Sequence, residues 1–520
     1  MKSSTPTGRL RNAEPDWLGN IARPSWPAFI VAALACVLQA TAHAELTVVS
    51  EESDKGRLTI YQLSVTPAAE PTPALKHRFV PEAIDMRPGN AALHYTRSFA
   101  EGGVAAVWKA IEKEHGFDTV HGGDDGHAWY STEAPLDELP LEAARAAAAQ
   151  FDTLVTQFVS RATVRYDCDW GHNIEELRGP EIFATLLPEI QETRSLSRGL
   201  MLRTRVAVAD GDYDRAIDHL RMNYCMAQHV AKGPFLVSGL VGIAEASMSN
   251  AEVVELIAAQ DSPNLYWALA ELPRPFIDLR PSVRFEMSSA MRVFPFLLDP
   301  ENQEHSPAGW AALLAEGLAD TQSLGSGGPK YDPWVMQAGV AGISLFAYPD
   351  AKRRLVAGGM DADRVEQMPV GQVIAVDAIR EFRRLADEYE KSWYLPYSLG
   401  KVAEDKADKL VAGNKLRGGY GHVLASLLLP ALQAVRNAQM RLEWQLDALM
   451  AVEAIRMHAA ATGKLPQTLA EITIVPAPNN PATEKPFEYR LNGDTAVLEL
   501  PFSDGFIGVA YRYEIKLATE

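Results

Sequence analysis

Apolar residues recur at three- and four-residue spacing through most of the chain, and this period predicts helices from Ala91 to about Thr462. Residues 141–164 are alanine-rich, with Phe151, Leu154, Val155 and Phe158 at helical spacing. Residues 190–209 and 213–230 read as two helices joined at Asp210-Gly211-Asp212, and residues 236–259 as a third. Pro273-Arg274-Pro275 interrupts the chain before another helix from Phe276, and residues 299–307 and 323–333 read as loops. Residues 370–393 and 421–462 are long helical patterns, the second kinked or split at Pro430.

The period changes at both ends. Residues 57–63 are strand-like, and Pro67, Pro71, Pro73 and Pro81 then forbid a helix. Pro88-Gly89-Asn90 marks a turn and a helix entrance. After Gly463 and Pro466, residues 472–475 predict a short strand, and residues 487–491 and 496–500 a hairpin about Asn492-Gly493-Asp494. In 507–517, Ile507, Val509, Tyr511, Tyr513, Ile515 and Leu517 alternate with small or polar residues as a strand does. The fold class expected is mainly α: stacked antiparallel helical hairpins (91–462), a short β N-terminal segment (45–90) and a small C-terminal α+β module (463–520).

Residues 1–44 read as a signal peptide. Lys2, Arg9, Arg11 and Arg23 precede an apolar run over 27–38, and Ala42-His43-Ala44 supplies the small-x-small cleavage pattern. The run is shorter than the roughly 20 residues of a membrane span. Export to the periplasm or beyond is expected, with an uncleaved membrane anchor as the alternative. A lipoprotein would use Cys36, but Ala33 stands where such sites usually have Leu. Farther on, the longest uncharged apolar run, 335–348, fits a buried helix, so no membrane span is expected after cleavage.

With 47% apolar and 22% charged residues, collagen-like, low-complexity and wholly disordered classes are excluded. The net charge of -18 argues against a nucleic-acid partner held by phosphate contacts. Of the three cysteines, Cys168 and Cys225 survive cleavage, and an oxidising compartment permits either one disulfide or two buried thiols.

Three stretches resemble known families. Residues 203–231, with Ala207, Gly211, Tyr213 and Ala216-Ile217 in the form GDYDRAI, are similar to one tetratricopeptide-type helical hairpin. The resemblance implies a tight turn at Gly211, with Tyr213 and Ala216 packed between the helices. Ala68-Ala69-Glu70-Pro71, Cys168-Asp169-Trp170-Gly171, Gly239-Leu240-Val241-Gly242, Asn264-Leu265-Tyr266-Trp267 and Leu272-Pro273-Arg274-Pro275 resemble an uncharacterised family of exported bacterial proteins. That family implies export and architecture, without an activity. Ala454-Ile455-Arg456-Met457-His458, Gly463-Lys464-Leu465-Pro466 and Pro486-Phe487-Glu488-Tyr489 resemble the globular part of type II secretion pseudopilins. The anchoring helix and calcium loop of that family are missing.

The candidate chemistry is sparse. Tyr266, Trp267, Arg274, Asp278, Arg280 and Arg284 are candidate ligand-binding residues, because an arginine pair facing a groove binds carboxylate or phosphate. An interhelical salt-bridge network with a buried Tyr and Trp is the plainer reading of the same residues. Trp393, Tyr394 and Tyr397 form a second candidate cluster, for a peptide groove or for core packing. His115, His121 and His127, with Asp118, Asp124 and Asp125 between them, are weak metal candidates set against a solvated polar turn. Asp169, His172, Glu175 and Glu176 have acid–base types or cap a helix start. Asp210, Asp212 and Asp214 imitate an EF-hand start, but Arg215 and Arg221 occupy the positions of its Gly and Glu. In Gly325-Ser326-Gly327-Gly328-Pro329-Lys330, Pro329 spoils a phosphate loop and a linker fits better. No nucleophile elbow, HExxH or CxxC occurs, and no cofactor is called for. The leading expectation is a non-enzymatic scaffold in the cell envelope that binds protein or peptide. The alternatives are an extracytoplasmic hydrolase with an acidic/His pocket and a pseudopilin-linked secretion component.

Overall fold

A computed structural model describes residues 45–518, except 55, 101, 124–125, 175–186, 295–296, 325–332, 413–418 and 502–507. The predicted signal peptide, Glu175, Glu176, Asp124, Asp125 and the 325–330 loop lie outside the described residues. The chain is mainly α. Among the described residues no helix is long and apolar enough to cross a membrane.

After a short strand, β3 (Arg87–Asn90), come α1 (Ala92–Ser98), α2 (Val104–His115), α3 (Leu141–Ala149) and α4 (Ser160–Thr163). A π-helical turn over Val155–Val159 leads into α4. β3 pairs in parallel with β4 (Arg165–Asp167). The centre is a three-helix layer of α5 (Pro188–Ala209), α6 (Tyr213–Ala231) and α7 (Leu236–Ala258). Gly211 takes φ 70° in the α5–α6 turn, which suits glycine, and the Asp212 side chain caps α6 by accepting from the Arg215 backbone N–H. α6 buries Ala216, Leu220, Ala227 and Val230 against α5 and α7.

A second helical group follows: α8 (Tyr266–Ala270), α9 (Arg280–Val293), α10 (Pro307–Leu324), α11 (Pro333–Ala357), α12 (Val370–Glu390), α13 (Tyr397–Ala412), α14 (Gly419–Leu428) and α15 (Pro430–Thr462). Pro430 begins a new helix at its N1 position, so the long pattern is split as the sequence predicts. α15 packs on α7 and α8 and ends at Gly463 in the left-handed conformation.

The two β-containing ends share one sheet. β1 (Glu45–Ser53) and β2 (Gly56–Val65) form a hairpin, and β2 runs parallel to β7 (Gly508–Leu517) from Gly56↔Gly508 to Val65↔Leu517. β6 (Thr495–Leu500) and β5 (Glu488–Asn492) complete the order β1-β2-β7-β6-β5. One expectation is corrected. Residues 472–475 form no strand: Ile472 and Val475 are buried as coil after a short 3-10 turn, and Pro476 and Pro478 lack the N–H a ladder needs. The 335–348 run is helical, with Ala347 buried and Phe346 85% exposed on α11.

Candidate functional site

One face of α6 borders two adjoining cavities. Asp214, Ile217, Asp218, Arg221 and Met222 line one of about 570 Å3. Cys225, Gln228, His229 and Lys232 continue the same three- and four-residue spacing and line one of about 1390 Å3. A proline-rich strap crosses between them: Arg78, Pro81 and Glu82, with Thr163, belong to both walls. The strap is tied down by the Arg78–Glu271 ion pair, by His77 Nδ1 at 3.6 Å from Asp214, and by buried Phe79 against Tyr224. The larger cavity has an apolar lining that includes Val80, Ile84, Phe276, Ile277, Pro281 and Phe285. Ile84 is 79% exposed, an isoleucine left open to solvent at the groove.

Two titratable groups of the larger cavity's wall, His229 and Cys225, are neutral. Burial, with Lys232 second, pushes His229 down to about 4, and its Nδ1 lies 3.0 Å from the Tyr95 hydroxyl. Burial pushes Cys225 up to about 12. A neutral imidazole and a thiol are a polar lining, without an activated thiolate. Cys168, also pushed up to about 12 by burial, and Cys225 are free buried thiols, so the disulfide that the sequence permits is not formed.

The sequence candidates are dispersed. Arg274 lies between Glu443 at 3.1 Å and Asp447 at 2.9 Å on α15. Arg280 pairs with Asp278 through two 2.8 Å hydrogen bonds, and only Asp278 of this set reaches the larger cavity. Arg284 pairs with Glu390 at 3.0 Å and with the Tyr394 hydroxyl. Buried Tyr266 donates to the Pro476 carbonyl at 2.7 Å, and Trp267 Nε1 donates to Glu70 at 2.6 Å. These residues tie elements together, as the salt-bridge reading has it. Trp393 and Tyr397 are buried about the Arg436 guanidinium, 5.6 and 5.4 Å from their ring centres, while Tyr394 is exposed. They pack a core and line neither cavity of the groove.

The histidines do not converge. His121 spans Tyr130 at 3.1 Å and Glu112 at 3.0 Å, His115 packs on Trp129, and His127 is 3.7 Å from Glu133. Among the described residues no three His, Cys, Asp or Glu side chains gather as a metal site. His172 Nε2 is 2.8 Å from Glu189, and Asp169 accepts from the Gly171 N–H.

Sequence reasoning missed Gln228, Lys232, Ile84 and Phe285. The spacing of Asp214, Ile217, Arg221, Gln228 and Lys232 on one predicted helix was a readable signal. The strap opposite them was not, because no local pattern says which helix a proline-rich segment crosses. Comparison with protein-family models, with curated proteins and with solved structures finds no match to this chain.

Proposed function

We propose that this protein is a non-enzymatic scaffold that binds an extended protein segment in the groove along α6. The carrying observation is that a single helix face borders both cavities. From Asp214 to Lys232 the helix rises roughly 27 Å. That length takes about eight residues of extended peptide at ~3.3 Å each. An apolar lining with polar groups at its rim is the usual composition of a recognition cleft. The neutral Cys225 and His229 favour binding over nucleophilic chemistry. Its place in the cell envelope is proposed from the N-terminal signal pattern alone.

Display of a randomised library of extended peptides on the purified protein tests the reading. Selected peptides are expected to lose binding by about tenfold or more on Ile84→Asp, a change at an exposed position that leaves the fold intact. Selected peptides indifferent to Ile84→Asp, or cleaved on incubation, would contradict it.

A further inference from the structure

Cations without an acidic partner among the described residues gather near the groove, and Arg87, Arg165 and Lys232 line its walls. Among the described residues, Arg87, Arg97, Arg161, Arg165 and Lys232 have no carboxylate within 4.0 Å. They are neighbours. Arg87 stands opposite Arg165 in the β3–β4 pair, and Arg97 and Arg161 lie on the contacting helices α1 and α4. Lys232, just beyond the end of α6, donates at 2.8 Å to the carbonyl of Tyr166, the residue after Arg165. Arg165 donates to the Pro88 carbonyl at 2.7 Å, and Arg87 to the Ile84 carbonyl at 2.6 Å. The partners of Lys232, Arg165 and Arg87 are therefore neutral carbonyls.

Most acids of the same walls are already engaged, and Asp85 in the smaller cavity is without an ion pair among the described residues. Glu271 and Glu82 face Arg78, Asp278 holds Arg280, Asp218 holds Arg221, and Asp214 faces His77. The local field registers on His94, which burial and then Arg165, Arg97 and Arg161 hold below its usual range. Like charges placed opposite one another in a sheet are destabilising. In a chain of net charge -18, such a cluster beside an apolar groove calls for an anionic partner.

Resting on the groove reading, we propose that the occupant is an acidic peptide. Its side-chain carboxylates meet Arg165 and Lys232, and its apolar side chains rest on Ile84, Pro281 and Phe285. A bilayer cannot enter a concave groove crossed by a strap, which favours a peptide over a lipid surface.

Two short labelled peptides, both amidated, separate the possibilities on the full chain by fluorescence anisotropy. Each has leucine at alternate positions, with glutamate between the leucines in one and glutamine in the other. The glutamate peptide is expected to bind about tenfold tighter at low salt, an advantage that shrinks at high salt. Lys232→Glu and Arg161→Glu, both at exposed positions, are expected to remove the advantage by weakening the glutamate peptide far more than the glutamine peptide. Circular dichroism checks their fold. Equal binding of the two peptides overturns the acidic preference and leaves the groove reading standing. Binding of neither overturns both. Binding to phosphatidylglycerol vesicles that Lys232→Glu abolishes, without a difference between the peptides, also overturns the proposal.

Discussion

Arg205 is completely buried, and its guanidinium holds three segments together. It pairs with Glu255 on α7 at 3.0 Å and donates to the carbonyls of Trp129 at 3.0 Å and Ala134 at 2.6 Å. Arg205→Met strands Glu255 and the neighbouring Glu252 in the core. A loss of about 3–5 kcal/mol is expected, read as a lower urea midpoint. Glu245 presents the opposite case. It is fully buried, and burial, opposed by Thr193 and Arg194, pushes it up from 4.5 to about 8. The folded state keeps this proton and the unfolded state releases it. The stability tied to that proton is thus complete below 4.5, falls as pH rises, and is gone above about 8. Glu245→Gln removes this dependence. The variant is expected to match the wild type in melting temperature near pH 4 and to melt several degrees higher near pH 8. Equal melting temperatures near pH 8 would show that Glu245 is not protonated in the folded protein. Neither role is visible in sequence, where both residues sit in ordinary amphipathic helices and only tertiary contact decides what they meet.

At the scale of elements, α6 and α7 approach closely at Gly242. A Cβ there would lie 2.5 Å from the Ala227 carbonyl oxygen and 2.9 Å from the Ala231 Cβ. Gly242→Leu must push the helices apart, at a cost of about 1–3 kcal/mol or more. Because α6 borders the groove, peptide affinity is expected to fall with stability, whereas Gly342→Ala, inside α11 with open space around it, should leave affinity unchanged and raise stability by about 0.5–1 kcal/mol. Urea unfolding and the anisotropy assay read the two effects. The helices themselves were legible: the α5–α6 hairpin, the break at Pro430 and the hairpin about Asn492-Gly493-Asp494 all follow from local periodicity and turn chemistry. Local signals misled where packing overrides them. Residues 472–475 have strand-like types but no ladder to join.

At the scale of the whole molecule, the arrangement depends on pairings that no local window contains. β2 meets β7 across more than four hundred residues of sequence. Arg456, fully buried in α15, binds Glu453 at 2.9 Å and donates to the Thr66 carbonyl at 3.1 Å and the Ser262 carbonyl at 2.9 Å. That contact anchors the chain where the strap begins. The groove arises from the same long-range logic, since the strap and α6 are distant in sequence and bounded together in space. The most direct test of the account is site-specific photo-crosslinking of one selected peptide from α6. A photoreactive side chain is placed in turn at Asp218, in the smaller cavity, and at Gln228, in the larger one. A continuous groove predicts that the same peptide is captured from both positions, and not from Phe346 on the exposed face of α11. Capture from neither α6 position, or from Phe346 instead, would contradict it.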